Sequence, residues 1–297
     1  MTTDGAAVEM GVGEYPTLLG KSLETAPSGK RSDMKETLQN NCSPQLARDL
    51  RHAIDPVAFA VEKLGFTPDP WQVAVLRSTG RHILMNACRQ SGKSTTAALM
   101  ALHRAFFYPG SLVLLLSPSL RQSGELFRKV VAMLEALEPV PHRREDNRLS
   151  FTLANRSRVV SLPGSEETIR GFSSVSLLVE DEAARVDDAL YAAIRPMLAV
   201  SGGRLVLLST PFGKRGHFFE AWENGGDAWS RLRLTADQCP RISRAFLEEE
   251  KAALGEWWYR QEYFCEFVQT VDQVFDYGTV MGALSDEVRP LFPQEGR

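Results

Sequence analysis

Between an apolar run, Ile83 to Ala87, and an apolar-faced helical stretch lies Ala87-Cys88-Arg89-Gln90-Ser91-Gly92-Lys93-Ser94. A loop in that setting turns the chain so that successive backbone N–H groups, with a helix N-terminus behind them, point at one spot and cradle phosphates. Gln90 and Ser91 supply loop N–H groups, and Gly92 lets the backbone approach closely. Lys93 is expected to reach the β- and γ-phosphates of ATP, and the Ser94 hydroxyl to ligate Mg²⁺. The usual pattern opens on Gly, where this chain has Ala87. A Gly-Lys-Ser tripeptide is common by chance, so it is the strand-loop-helix context that points to a nucleotide.

Hydrolysis needs acids at the far side of the phosphates, and Leu177-Leu178-Val179-Glu180-Asp181-Glu182 offers an apolar strand ending in carboxylates. Parallel strands present ligands at their C-terminal ends. Asp181 is expected to hold the Mg²⁺ shell, and Glu182 to orient and polarise the attacking water. The plainer reading is a solvated acidic turn capping the next helix. A further apolar strand, Leu205 to Leu208, ends in Ser209-Thr210-Pro211. Hydroxyls at such a tip can sense the γ-phosphate by changing hydrogen-bond partner, or can simply stabilise a turn. Upstream, Pro70-Trp71-Gln72 carries an amide with the donor and acceptor that an adenine edge requires, with Trp71 packing nearby. A packed amphipathic helix is the alternative there.

The elements that must position these residues follow from the spacing. Leu46, Leu50, Ile54, Val57, Val61 and Leu64 recur at helical intervals, with a restart at Asp55-Pro56, and Phe66 to Pro70 forms a turn. A short helix, 71–77, precedes strand 83–87, helix 94–108 and strand 112–117, and helix 120–137 follows. Segments 149–153 and 158–162 read as a hairpin about Asn155. Strand 176–179, helix 188–198, strand 204–208 and helix 216–222 complete the series. Continuous apolar strands alternating with helices mean βαβ units around a mainly parallel central sheet flanked by helices, an α/β fold of the P-loop type. No repeat at a period of about 20 to 50 residues is visible.

The 297 residues allow one large domain or two small ones. With 34 Lys+Arg against 37 Asp+Glu, the net charge of −3 excludes gripping nucleic acid by bulk charge, so a polyanion must be met locally. The cluster His142, Arg143, Arg144, Arg148, Arg156 and Arg158 could touch DNA phosphates or form a solvated hairpin. Cys42, Cys88, Cys239 and Cys265 are far apart, which suggests neither a disulfide framework nor a zinc site. A reducing compartment fits. No basic start precedes an apolar core, and no run of about 18 apolar residues occurs, so neither a signal peptide nor a membrane span is expected. Residues 1–45 lack sustained apolar periodicity and read as a flexible N-terminal tail, with a partner-binding arm as the alternative.

The ordered set Pro70-Trp71-Gln72, Arg89 to Ser94, Ser117-Pro118-Ser119, Arg170-Gly171, Glu180 to Ala183 and Leu208 to Pro211 resembles the ATPase domain of the large terminase subunit of tailed bacteriophages. Glu262-Tyr263-Phe264-Cys265-Glu266-Phe267 is similar to the segment that closes that domain. In that family the loop commonly lacks its first Gly and carries an Arg, as Ala87 and Arg89 do here. The resemblance covers 55 to about 280. It implies an additional-strand, catalytic-glutamate ATPase that drives double-stranded DNA into a procapsid. Arg89 is expected to reach the γ-phosphate in cis, and Arg170 to serve a neighbouring subunit as an arginine finger, with a surface salt bridge as its alternative role.

The same resemblance implies a homo-oligomeric ring, a small terminase subunit and a portal protein as partners, and the host cytoplasm as the setting, with no membrane. The expected domains are the tail 1–45, the ATPase domain 46–270 and a C-terminal linker or tail 271–297. The family's ribonuclease H-like nuclease needs on the order of 150 residues, more than follow Val271. Asp272, Asp276, Asp286 and Glu287 therefore read as linker acids, and no nuclease activity is expected. A helicase-like ATPase would share the motifs but need a second lobe. A non-catalytic assembly remnant of a split terminase is the remaining alternative, against which intact Lys93, Asp181 and Glu182 argue.

Overall fold

A computed structural model describes residues 43–163, 169, 171–269, 279 and 282–283. Arg170 and the acids 272, 276, 286 and 287 lie outside the described residues, as does most of the tail. The chain divides into two units, Met1–Arg51 and His52–Arg297. In the first, residues 44–51 lie in helix α1 (Pro44–Ile54).

The second unit begins with two capped helices. Asp55 caps α2 (Pro56–Leu64) by accepting from Val57 N–H, with Pro56 in the first turn where its missing N–H costs nothing, and Gly65 ends the helix at φ 61°. Asp69 opens α3 (Pro70–Arg77) in a capping box with Gln72.

Eight strands form one sheet in the order β3-β4-β5-β2-β6-β7-β1-β8. They are β1 (His82–Ala87), β2 (Leu112–Ser117), β3 (Arg143–Asn147), β4 (Ser150–Leu153), β5 (Arg158–Pro163), β6 (Leu177–Asp181), β7 (Arg204–Ser209) and β8 (Trp229–Leu234). Strands β5, β2, β6, β7, β1 and β8 pair in parallel, and β3 and β4 add an antiparallel edge. Strand β7 is inserted between the loop strand β1 and the acid strand β6, which is the additional-strand arrangement. Asn86 stands level with Ser209, and Asp181 with Leu208, so the ends of these three strands meet at one edge.

Period-2 alternation sends neighbouring side chains to opposite layers. Ile83, Met85, Val179 and Val206 pack with Leu99 and Leu102 of α4 (Lys93–Phe107) and with Phe127 and Val130 of α5 (Leu120–Glu135). Leu84, Leu178 and Leu207 face the other way, onto Leu190 and Ile194 of α6 (Asp188–Ile194) and Phe218 of α7 (Gly216–Glu223). Each fully buried Leu contributes about 2 kcal/mol, which fixes the sheet between its layers. A third apolar cluster joins Cys88 to Leu247, Tyr259 and Tyr263 of α8 (Arg244–Phe264).

Some elements differ from expectation for identifiable reasons. Helix 188–198 gives way after Ile194 to a tighter turn, 195–198, because Pro196 lacks a backbone donor. Strand β6 begins at Leu177 and runs through Asp181, so Glu180 and Asp181 are strand residues and only Glu182 follows. Strand β3 escapes sequence reading because its residues, Arg-Arg-Glu-Asp-Asn, carry no apolar alternation. Leu46, Leu50 and Ile54 form the expected stripe on α1, yet all three are exposed. Among the described residues, no helix is long and apolar enough to cross a membrane.

Candidate nucleotide site

Strand β1 ends at buried Ala87, and the loop starts under constraint: Cys88 N–H donates to Leu234 O at 2.9 Å. Burial pushes the Cys88 thiol up to about 11, so it remains a neutral core group. Ser91 Oγ donates to Cys88 O at 2.8 Å and closes the turn. Gln90 at φ 59° and Gly92 at φ 94° reverse the chain through the left-handed region. At Gly92 a Cβ would stand 3.2 Å from Gln72 Nε2 and 3.3 Å from Arg241 Nη2, so glycine answers both a backbone and a space requirement. Lys93 then opens α4, its side chain buried and its Nζ 3.8 Å from Glu182 Oε1.

Ser94 Oγ donates to Asp181 Oδ2 at 3.0 Å, and Glu182 N–H donates to Asp181 Oδ1 at 3.0 Å. Burial, with the Glu182 charge beside it, pushes the Asp181 carboxyl up, against the pull of Lys93 and Ser94. Glu182 sits at φ 57°, a strained region for a residue with a Cβ. Its Oε2 accepts from Arg185 Nη1 at 3.0 Å, and the same nitrogen donates to Thr210 Oγ1 at 3.1 Å. Ser209 Oγ donates to Thr210 O at 2.6 Å. The strand tip of β7 is thereby joined to the acid strand.

Two of the expected site residues have partners inside the protein. Gln72 is buried, with Oε1 accepting from Asp69 N–H at 2.8 Å and Nε2 donating to Thr96 Oγ1 at 2.9 Å. Each half of its amide has one partner inside the protein, and an amide has a second N–H and a second lone pair to offer. Trp71 packs on the α4 layer, and its Nε1 donates to Asp69 Oδ2 at 3.2 Å. Arg89 Nε donates to Glu262 Oε2 at 2.7 Å, so its guanidinium lies on α8 although the side chain is 62% exposed.

Sequence reasoning missed Arg185, Arg241 and the bridging role of Glu262. Arg185 Nη2 donates to Glu262 Oε1 at 3.1 Å, so Glu262 holds two arginines. Arg241 donates to Asp69 Oδ2 at 2.6 Å and to the Ser91 carbonyl. The signal for Arg185 is its spacing three residues after Glu182. Glu262 and Arg241 meet the loop only through the fold.

On the opposite face of β6, fully buried Glu180 has His217 Nε2 3.3 Å from its Oε2. His217 Nδ1 lies 3.1 Å from Asp188 Oδ1, Tyr191 stacks on the ring at 4.2 Å, and Glu220 lines the adjoining cleft. Burial pushes Glu180 up, opposed by His217. Burial pulls His217 down, but the Glu180 and Asp188 carboxylates outweigh it and the net direction is up. Both groups bind protons more readily in the folded chain than in the unfolded one. His217's contribution is present below its unfolded value of about 6.5, Glu180's below its unfolded value of about 4.5, and each is lost as pH rises through the group's folded value. The midpoint of thermal unfolding is therefore expected to fall from about pH 6 to about pH 9 more steeply in the wild type than in the double variant Glu180→Gln/His217→Gln. Parallel curves would contradict this.

Residues 84–279 match the family model for the terminase large subunit, T4likevirus-type, N-terminal. The terminase large subunit of Thermus phage G20c is 29% identical over 251 residues, covering 72% of this chain and 51% of that protein. That of Escherichia phage T5 is 25% identical over 233 residues, covering 74% and 52%. The chain spans about half the length of the curated relatives it matches. The Thermus phage P74-26 large terminase ATPase domain superposes with a TM-score of 0.64 at 25% identity, covering 70% of this chain and 97% of that one. The large terminase of a thermophilic bacteriophage, solved in complex with ADP, gives 0.54 at 15% identity, covering 67% and 53%.

Proposed function

From the premise that the chain belongs to the family of T4likevirus-type terminase large subunit N-terminal domains, we propose that it is the ATP-hydrolysing motor domain of a phage DNA-packaging terminase. The observation that carries this reading is the convergence of Lys93, Ser94, Asp181 and Glu182 where the loop enters α4 and β6 ends. Loop N–H groups from Gln90 to Ser94 and the Lys93 ammonium bind the phosphates of ATP. Glu182 orients the attacking water and takes its proton. Ser209 and Thr210 report the state of the γ-phosphate through Thr210's link to Arg185. Gln72, whose Nε2 stands beside Gly92, and Trp71 are assigned to the adenine end of the nucleotide.

The residues fit Mg²⁺. Ser94 and Asp181 place two hard oxygen donors side by side, and the raised Asp181 carboxyl marks a buried acid short of positive charge. Among the described residues, no group of three or more His, Cys, Asp or Glu could hold a metal ion. When bound, Mg²⁺ supplies Lewis-acid charge to the phosphate oxygens.

The partners in this reading are double-stranded DNA, a small terminase subunit, a portal protein and further copies of the chain in a ring, in the host cytoplasm. Arg170 is assigned as the finger given to a neighbour's site, which is complete only in the assembly. Specific ATPase activity should then rise with protein concentration, and Arg170→Ala should flatten that rise with ATP affinity nearly intact. Mixing Arg170→Ala with Glu182→Gln should restore part of the activity, because an intact Glu182 site can borrow Arg170 from its neighbour. No recovery, in samples shown by sedimentation to contain mixed assemblies, would remove Arg170 from that role.

A further inference from the structure

We propose that Arg185 is a positioning residue that sets the orientation of the Glu182 carboxylate, with Glu262 and Thr210 as its anchors. The inference rests on Glu182 acting on the attacking water. The two oxygens of Glu182 are divided: Oε1 faces Lys93 at 3.8 Å, and Oε2 is held by Arg185 at 3.0 Å. When Lys93 engages phosphate, Oε1 loses its cation and is free to receive a water proton, while Oε2 stays fixed.

That fixing requires a guanidinium that cannot swing, and the fold supplies one. The tight turn after β6 has Arg185 N–H donating to Glu182 O at 2.9 Å, which sets the two side chains three residues apart on one side. Nη1 is shared between Glu182 and Thr210, Nη2 is bound to Glu262 Oε1 at 3.1 Å, and the Phe212 ring lies 4.9 Å from Cζ. Glu262 is itself held by Arg89 at 2.7 Å and is nearly buried. Only a planar fork of donors spans three partners in this way, and a lysine ammonium has neither the reach nor the geometry. The strand tip after β7 and helix α8 thus both act on the acid through one side chain.

Single-turnover hydrolysis with enzyme in excess, measured in a double-mutant cycle, tests this. Arg185→Ala should lower the rate about 10²-fold, the scale of a displaced catalytic group, with the Kd for ATP within about twofold of wild type. In a Glu182→Gln background the same change should alter the residual rate by less than about twofold, because the group it positions is gone. Arg185→Lys should fall between wild type and Ala, and it carries the cycle alone if the Ala variant does not fold. The full loss recurring in the Glu182→Gln background, or ATP affinity falling as far as turnover, would overturn the proposal. Wild-type turnover in Glu182→Gln alone would instead remove the reading of Glu182, whatever Arg185 does.

Discussion

Glu182→Gln is expected to bind ATP and Mg²⁺ much as the wild type does while losing turnover by ~10² or more. The substitution preserves size and leaves an amide oxygen to accept from Arg185, so the local framework of Asp181, Lys93 and the β7 tip should persist. What disappears is the ability to take a proton from water at the end of β6. Equilibrium titration with a fluorescent ATP analogue, beside single-turnover hydrolysis, separates the two quantities. Affinity lost in step with turnover would mean that Glu182 binds nucleotide and is not the base.

Lys93→Ala should be more severe, abolishing hydrolysis and weakening ATP binding together. The Lys93 ammonium is buried at the first residue of α4, and the nearest alternative cation in the loop, Arg89, has its guanidinium on Glu262. A charge-assisted hydrogen bond to a phosphate is worth about 1.5–3 kcal/mol, so affinity should fall roughly 10- to 10²-fold. Asp181 and Glu182 would also lose the cation that offsets their repulsion. Unchanged steady-state turnover in the purified variant would contradict the assignment of Lys93.

Much of this arrangement can be read from residue types alone, because the chemistry of the loop and of the acid strand is local in sequence. Apolar β1, β2, β6 and β7, with their intervening helices, follow from periodicity, and the restart at Asp55-Pro56 follows from a proline tolerated in a first turn. Strand order is different. A parallel crossover leaves several neighbours open, so the place of β7 between β1 and β6 came only from the family resemblance or the fold. Strands β3 and β8 sit at the sheet edges, where one-sided burial weakens the apolar signal.

The meeting of Lys93, Ser94, Asp181 and Glu182 was legible, and the contacts that cross the fold were not. Glu262 is one acid in a charged helix interrupted at Gly255, and nothing in its spacing announces that it holds both Arg89 and Arg185. Gln72 has partners of the same kind: Asp69 N–H and Thr96 Oγ1 reach its amide through the cap and the neighbouring helix, and its spacing announces neither. Residue type tells which hydrogen bonds a side chain can make, and only packing tells which ones it does make.

The central claim is that the loop between β1 and α4, together with the end of β6, binds and hydrolyses ATP. Phosphate release from MgATP, followed across a range of protein concentrations with and without double-stranded DNA, tests it most directly when wild type, Lys93→Ala and Glu182→Gln are run side by side. The account predicts release by the wild type that rises with concentration, none above background from Lys93→Ala, and release lower by ~10² or more from Glu182→Gln. Equal release from all three proteins at every concentration, or none from a wild type shown to bind ATP, would contradict it.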